Sequence, residues 1–137
     1  QTERTGLRRK SRWAELACLD SDYFLAGSNA ITYDGILVNI DKFGNRIAAI
    51  AFGAKNVILI VGMNKAVKNL EEALSRVHNE ATPINAVRLG IDTPCRNNGL
   101  CYDCKGANSM CCQVLVTRNS GVKERIKVIL VNDNLGF

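Results

Sequence analysis

The stretch Asp22 to Gly62, DYFLAGSNAITYDGILVNIDKFGNRIAAIAFGAKNVILIVG, decides how this chain folds. Tyr23-Phe24-Leu25-Ala26-Gly27 is a short apolar run that stops at turn-forming residues, so it reads as a strand entering a loop. The polar residues Ser28-Asn29-Ala30-Ile31-Thr32 then read as a turn just past that strand's carboxyl end. Asp34-Gly35 is a turn signal, since Gly accepts positive φ and Asp tolerates it. Ile36 to Ile40 reads as a second strand, and Phe43-Gly44-Asn45 as another turn. Arg46 to Phe52, rich in small residues, suits a short buried helix. Val57-Ile58-Leu59-Ile60-Val61-Gly62 is a continuous β-branched run, the pattern of a parallel strand covered on both faces. Strand, polar turn, hairpin, helix and buried strand make an α/β unit. In open α/β sheets ligands bind beyond the carboxyl ends of the strands. Ser28, Asn29 and Thr32 are therefore expected to line a ligand site, with Arg46 offering a cation at a helix start.

Outward from this unit, residues 7 to 19 suit a helix with Trp13, Leu16, Ala17 and Leu19 on its apolar side. Cys18 falls near that side and reads as a small buried hydrophobe. Asn64 reads as the N-cap of a helix from Lys65 to about Asn79, with Val67, Leu70, Leu74 and Val77 as its buried stripe. His78, the single histidine, lies beside that stripe and reads as structural or surface. Thr82-Pro83 starts another short helix that ends at Gly90. Residues 91 to 112 lack a hydrophobic period and read as a loop. Val114 to Thr117 and Ile126 to Val131 read as a C-terminal β pair, with the alternative that both join the main sheet.

Composition bounds the function. A chain of 137 residues with 47% apolar and 23% charged residues fits one soluble domain with a single core. No run approaches the roughly 20 apolar residues of a membrane helix, and Gln1-Thr2-Glu3-Arg4 has no apolar signal core behind it. The expected compartment is the cytoplasm, with no membrane partner. The net charge of +5 is concentrated partly in Arg4, Arg8, Arg9, Lys10 and Arg12. Without interleaved aromatic residues or a helix-turn-helix or zinc-finger pattern, this cluster reads as a solvated face, and nucleic acid is not an expected partner.

Five of the six cysteines fall between 95 and 112, as Cys95-x5-Cys101-x2-Cys104-x6-Cys111-Cys112. The Cys-x2-Cys pair brings two sulfurs to one centre, and Cys95 with Cys111 or Cys112 completes four. Four thiolates suit tetrahedral zinc or an iron–sulfur cluster. The expected set is Cys95, Cys101, Cys104 and Cys111, because adjacent cysteines rarely both coordinate. Redox-active thiols and inert thiols are the alternatives, while disulfides are not expected in a reducing compartment.

The residues Ser28-Asn29-Ala30-Ile31-Thr32, Asp34-Gly35, Leu37-Val38-Asn39-Ile40-Asp41, Gly44-Asn45-Arg46, Ala48-Ala49 and Phe52-Gly53 resemble the LUD-domain family, the lactate-utilisation proteins. The likeness continues through Asn64-Lys65, Leu70 to Ala73, Ala81 to Ala86, Thr93-Pro94-Cys95 and Leu135-Gly136-Phe137. Residues 1–137 then read as one LUD-like domain, the carboxyl-terminal part of a larger one, with 93–112 as its cysteine loop. The resemblance implies the fold of ribose-phosphate isomerases and CoA transferases: a mostly parallel sheet flanked by helices. In the related methylthioribose-phosphate isomerases, a Gly-Ala-Asp strand end and an Asn-Lys pair meet a phosphosugar. Here Ser28-Asn29-Ala30 and Asn39-Ile40 stand at those positions, which adds Asn39 to the expected ligand set. Asn29 cannot serve as a general base, and Ile40 cannot meet a phosphate. The plain reading of Asn29 and Asn39 is turn capping through bonds to the backbone.

The resemblance implies a component of a system oxidising L-lactate to pyruvate, with lactate-utilisation or redox partner proteins, the missing amino-terminal half of the domain, and a homo-oligomer among its associations. It tilts the cysteine site toward a [4Fe–4S] cluster over zinc. The alternative is a module binding or transferring a small anion, phosphosugar or CoA ester, with a structural zinc. Gly27, Gly35, Gly44 and Gly53 do not form G-x-G-x-x-G, so no nicotinamide or flavin fingerprint is present.

Overall fold

A computed structural model describes residues 12–137. The expected basic cluster at Arg4 to Lys10, and the start of the first helix, lie outside those residues. A helix α1 occupies 12–19. Strands β1 (Tyr23–Ala26), β2 (Ala30–Thr32) and β3 (Leu37–Asp41) follow, then helix α2 (Asn45–Ala48), which runs into a π-turn, Ala49–Gly53. Strand β4 (Asn56–Gly62), a 3-10 turn Met63–Lys65 and a short strand β5 (Ala66–Val67) come next. Helix α3 (Leu70–Arg76), a π-turn Val77–Ala81 and helix α4 (Thr82–Leu89) form one rod, and α5 (Pro94–Asn98) opens the cysteine region. Strands β6 (Gln113–Thr117) and β7 (Ile126–Val131) complete the order.

The strands form two sheets. In the first, β1, β4 and β7 lie parallel in that order, with Phe24 opposite Val57 and Val57 opposite Ile126. In the second, the order is β5-β2-β3-β6, with β2–β5 parallel and the other pairs antiparallel. The expected α/β class with a mostly parallel sheet holds for the first sheet, while the second is mixed. The expected C-terminal β pair does not form: β6 joins β3 and β7 joins β4. A short polar connection permits a hairpin, but the buried strands β3 and β4 each offer an open edge and take one partner apiece.

Layering follows from side-chain alternation. Val57, Leu59 and Val61 are fully buried and meet Ile31 and Leu37 of the second sheet, with Ile50 and Ala54 from the π-turn region. Each such aliphatic side chain contributes roughly 1.5–3 kcal/mol. On the other side of the second sheet, Ala30, Val38 and Ile40 pack against Ala73 and Val77. The expectation that Val57–Gly62 is covered on both faces is corrected. Ile60 is 41% exposed, and its neighbours across the outer face, Leu25 and Ile129, are 62% and 50% exposed.

Three further expectations change. Residues 28 to 32 are not all turn, since Ala30–Thr32 is a buried strand held between β3 and β5. Asn64 does not cap a helix at Lys65. The helix starts later, where the Asn69 side chain accepts a 2.9 Å hydrogen bond from the Glu72 amide, and Ala66–Val67 instead supplies the edge partner that β2 lacks. Helix α4 does begin at Thr82 with Pro83 behind it, but Ala81 rather than Thr82 stands at the N-cap and is itself helical, so the helix continues the turn before it. The Thr82 hydroxyl donates to the Val77 carbonyl at 2.7 Å, and the π-turn carries the rod through Pro83, whose missing N–H would otherwise break an α-helical ladder. The short helix does end at Gly90, with φ +65°.

Candidate functional site

Arg46 organises the polar centre beyond β1. Its Nε donates to Asp41 Oδ1 at 2.9 Å, Nη1 to Asn39 Oδ1 at 2.9 Å and to the Gly27 carbonyl at 3.2 Å, and Nη2 to Asn29 Oδ1 at 2.6 Å and to the Ile40 carbonyl at 3.1 Å. All five guanidinium N–H groups therefore have acceptors within the protein. The two asparagines are cross-linked as well. The Asn29 amide N–H donates to Asn39 Oδ1 at 3.3 Å, and the Ile40 amide N–H to Asn29 Oδ1 at 3.0 Å. Asp41 Oδ2 accepts from the Ile47 amide at 2.9 Å, which pins the start of α2. This is side-chain-to-backbone capping, extended across two strands. Asn39 is fully buried and its Nδ2 has no hydrogen-bond partner.

Ser28 and Thr32 are buried too. The Ser28 hydroxyl donates to the Ala30 carbonyl at 2.9 Å, and Thr32 Oγ1 accepts from the Ile36 amide at 2.8 Å while bonding Asp34 within the hairpin. Of the five expected ligand residues, Asn29 alone lines a cleft, of about 200 Å³, together with Asp41, Asn45, Thr82, Asn85 and Met110. The structure thus draws Ser28, Asn29, Asn39 and Arg46 together and leaves Thr32 in the hairpin.

The four expected sulfurs share a second cavity of about 70 Å³. Cys95, Cys101, Cys104 and Cys111 line it with His78 and Thr93, and Thr82 and Met110 form a wall common to this cavity and the cleft. Cys112 does not line it; its thiol is exposed and donates to the Ser109 carbonyl at 3.4 Å. The helix Pro94–Asn98 places Cys95 beside Thr93 Oγ1 at 3.2 Å. Asn79 Oδ1 holds the Cys101 amide at 3.1 Å, and Cys101 Sγ lies 3.7 Å from His78 Nδ1 and accepts from the Asp103 amide at 3.4 Å. Burial pushes the Cys111 thiol up from its usual range, a hydrogen bond to Thr82 Oγ1 opposes that, and negative charge on Cys101, Cys95 and Cys104 pushes it up again. As donors these residues fit a thiophilic metal or cluster. Their placement is open, because among the described residues no three His, Cys, Asp or Glu side chains stand together as a site that could hold a metal ion.

Several residues of this region were not singled out from the sequence. Arg76 lies buried on α3 and donates to the Asn29 carbonyl at 2.7 Å and the Asn64 carbonyl at 3.2 Å. Burial draws its guanidinium below the usual range, opposed by Glu80 at 3.6 Å. Asp41 is the carboxylate partner of Arg46 at 2.8 Å. His78 read as structural, and it faces the sulfurs. No spacing signal announces these contacts, which join segments far apart in the chain.

No helix among the described residues is long and apolar enough to cross a membrane. No curated protein and no solved structure matches the chain significantly. The family model of the LUD domain matches residues 2–131, which spans the strand-end asparagines, the arginine they hold and every cysteine of the cavity. By that match, the chain belongs to the LUD domain family.

Proposed function

We propose that this protein is a component of a system that oxidises L-lactate to pyruvate, and that Cys95, Cys101, Cys104 and Cys111 hold a metal centre, a [4Fe–4S] cluster in preference to zinc. Membership of the LUD domain family supports the pathway. The observation that carries the metal reading is the shared cavity: four cysteines spread over 17 residues of sequence line one space, while Cys112 is turned away. A cluster held there would carry single electrons. The chain's own contribution would be to position sulfurs from the α5 loop against α3–α4, to aim the Asp103 amide at Cys101, and to place the asparagine-lined cleft on the other side of Thr82 and Met110. Removing two electrons and two protons from lactate requires acceptors from partner proteins, in the cytoplasm, because no nicotinamide or flavin fingerprint is present.

The cleft favours a second reading. Asn29, Asn45, Asn85 and Asp41 offer hydrogen bonds to a small polar ligand, which suits a binding or transferase module for a phosphosugar or CoA ester with a structural zinc nearby.

Elemental analysis and absorption spectra of protein purified without oxygen test the proposal. The expected result is about four iron and four sulfide per chain, a brown colour that bleaches on reduction, and loss of both on Cys101→Ser with Cys104→Ser. One zinc without colour would shift the balance to the second reading. Metal retained by the double variant would overturn the cysteine site.

A further inference from the structure

Lys65 is 6% exposed as a residue, and among the described residues its ammonium has no hydrogen bond or ion pair, although Nζ is not one of the sealed atoms left without a partner, which are Asn39 Nδ2 and Thr117 Oγ1. Its surroundings make the omission sharper. The 3-10 turn Met63–Lys65 follows β4, and Gly27 follows β1, so both stand at the carboxyl ends of neighbouring parallel strands. That is where ligands enter open α/β sheets. The ammonium Nζ lies 3.7 Å from where a Cβ on Gly27 would stand and 3.5 Å from the equivalent point on Gly136. At both positions glycine puts no side chain against Nζ.

The neighbouring charge has one sign. Burial draws the Lys65 ammonium below its usual range, and Arg76 and Arg46 push it further down. Arg46 has no N–H to spare, and Arg76 directs Nε and Nη1 to backbone carbonyls. Lys65 therefore adds its three donors to those that Arg76 keeps beyond its two backbone bonds. Its cover is light. Asn64 ties down the tail with a 3.0 Å bond from Nδ2 to the Gly136 carbonyl and a 3.2 Å bond from the Leu135 amide to Oδ1.

We propose that Lys65 is the anchor of an oxyanion-binding site at the carboxyl ends of β1 and β4, taking the carboxylate or phosphate of a small molecule between Gly27 and Gly136. Three ammonium donors meet one oxyanion, the two glycines let it approach the backbone, and the positive field of Arg76 and Arg46 adds attraction. This site does not depend on the cysteine centre, so loss of one reading leaves the other standing.

Amine labelling read by mass spectrometry tests it on the wild-type chain, with acetate, L-lactate and inorganic phosphate as separate probes. The expected result is that acylation of Lys65 slows at least about fivefold with a bound anion, while exposed Lys55 and Lys105 are unaffected. Slowing by acetate and lactate alone identifies a carboxylate, and slowing by phosphate identifies a phosphoryl group. The same anion should raise the melting temperature of the wild type. Lys65→Met should melt no lower than the wild type and lose that response. Unchanged labelling with all three probes, or an equal response in Lys65→Met, would overturn the site.

Discussion

Arg46 shows how much one residue can hold when its geometry is saturated. Its side chain bridges the Gly27 carbonyl, Asn29, Asn39, the Ile40 carbonyl and Asp41, and so clamps the end of β1 to β3 and to the start of α2. A lysine keeps the charge but has three donors on one atom and no planar fork. Arg46→Lys is therefore expected to lower unfolding stability by about 2–4 kcal/mol, read as a fall in the urea midpoint without a change in slope. An unchanged midpoint would mean that the clamp is dispensable. The sequence made Arg46 visible as a cation at a helix start, and the helix does begin at Asn45. What the cation holds was not legible, because its asparagine partners lie 17 and 7 residues away and only the sheet brings them together. Asn29 and Asn39 were legible as caps, since amides of this type seek backbone partners wherever a strand ends.

At the scale of elements, local patterns identified most pieces and erred where a tertiary partner chose between two allowed structures. The β-branched run at Val57 was clear as a strand, and Asp34-Gly35 as a hairpin turn. Ala66–Val67 is too short to announce itself, and it became a strand because β2 needed an edge partner. Residues 77 to 81 kept their helical period but widened into a π-turn, which no apolar spacing encodes. The close approach at Gly62 is equally invisible in the sequence. A Cβ there would stand 2.5 Å from Asn64 Oδ1, 2.6 Å from the Asp133 carbonyl and 2.6 Å from the Leu135 amide. Two of these are backbone atoms and cannot give way without moving the chain. Gly62→Ala is expected to push residues 133–137 off the end of β4 at a cost of about 1–3 kcal/mol. Hydrogen–deuterium exchange should then show faster exchange at Leu135 with little change in β4. Unaltered protection of the tail would mean that the strand end adjusts instead.

Across the whole molecule, the class of fold was legible from alternating strand and helix signals, but the division into two sheets was not. Each of β3 and β4 is hydrophobic enough for either sheet, and the partners that settle the matter, β6 and β7, come from the far end of the chain. The same long-range assembly buries Lys65 among cations, and its consequence is a pH dependence of stability. At neutral pH the ammonium is charged in both folded and unfolded chains, so the cost of burying it is present in full. Because its folded pKa is lowered from 10.5, the folded chain releases the proton first as pH rises. The unfolded chain then binds more protons, and stability climbs until about 10.5, above which both states are neutral. Cys111 acts in the opposite sense. Its folded thiol is raised above 9.0, so the unfolded chain ionises first and stability falls as pH rises from there. Arg76 shifts in the same direction as Lys65, but a guanidinium titrates too far above this range to interfere. The difference between wild type and Lys65→Met separates these effects, since Cys111 is common to both. Without added anion, Lys65→Met should melt higher than the wild type at neutral pH, and the gap should close as pH approaches 10.5. A gap that stays constant over that range would show that Lys65 holds its proton equally in both states, and that burial and the two arginines do not act on its ammonium.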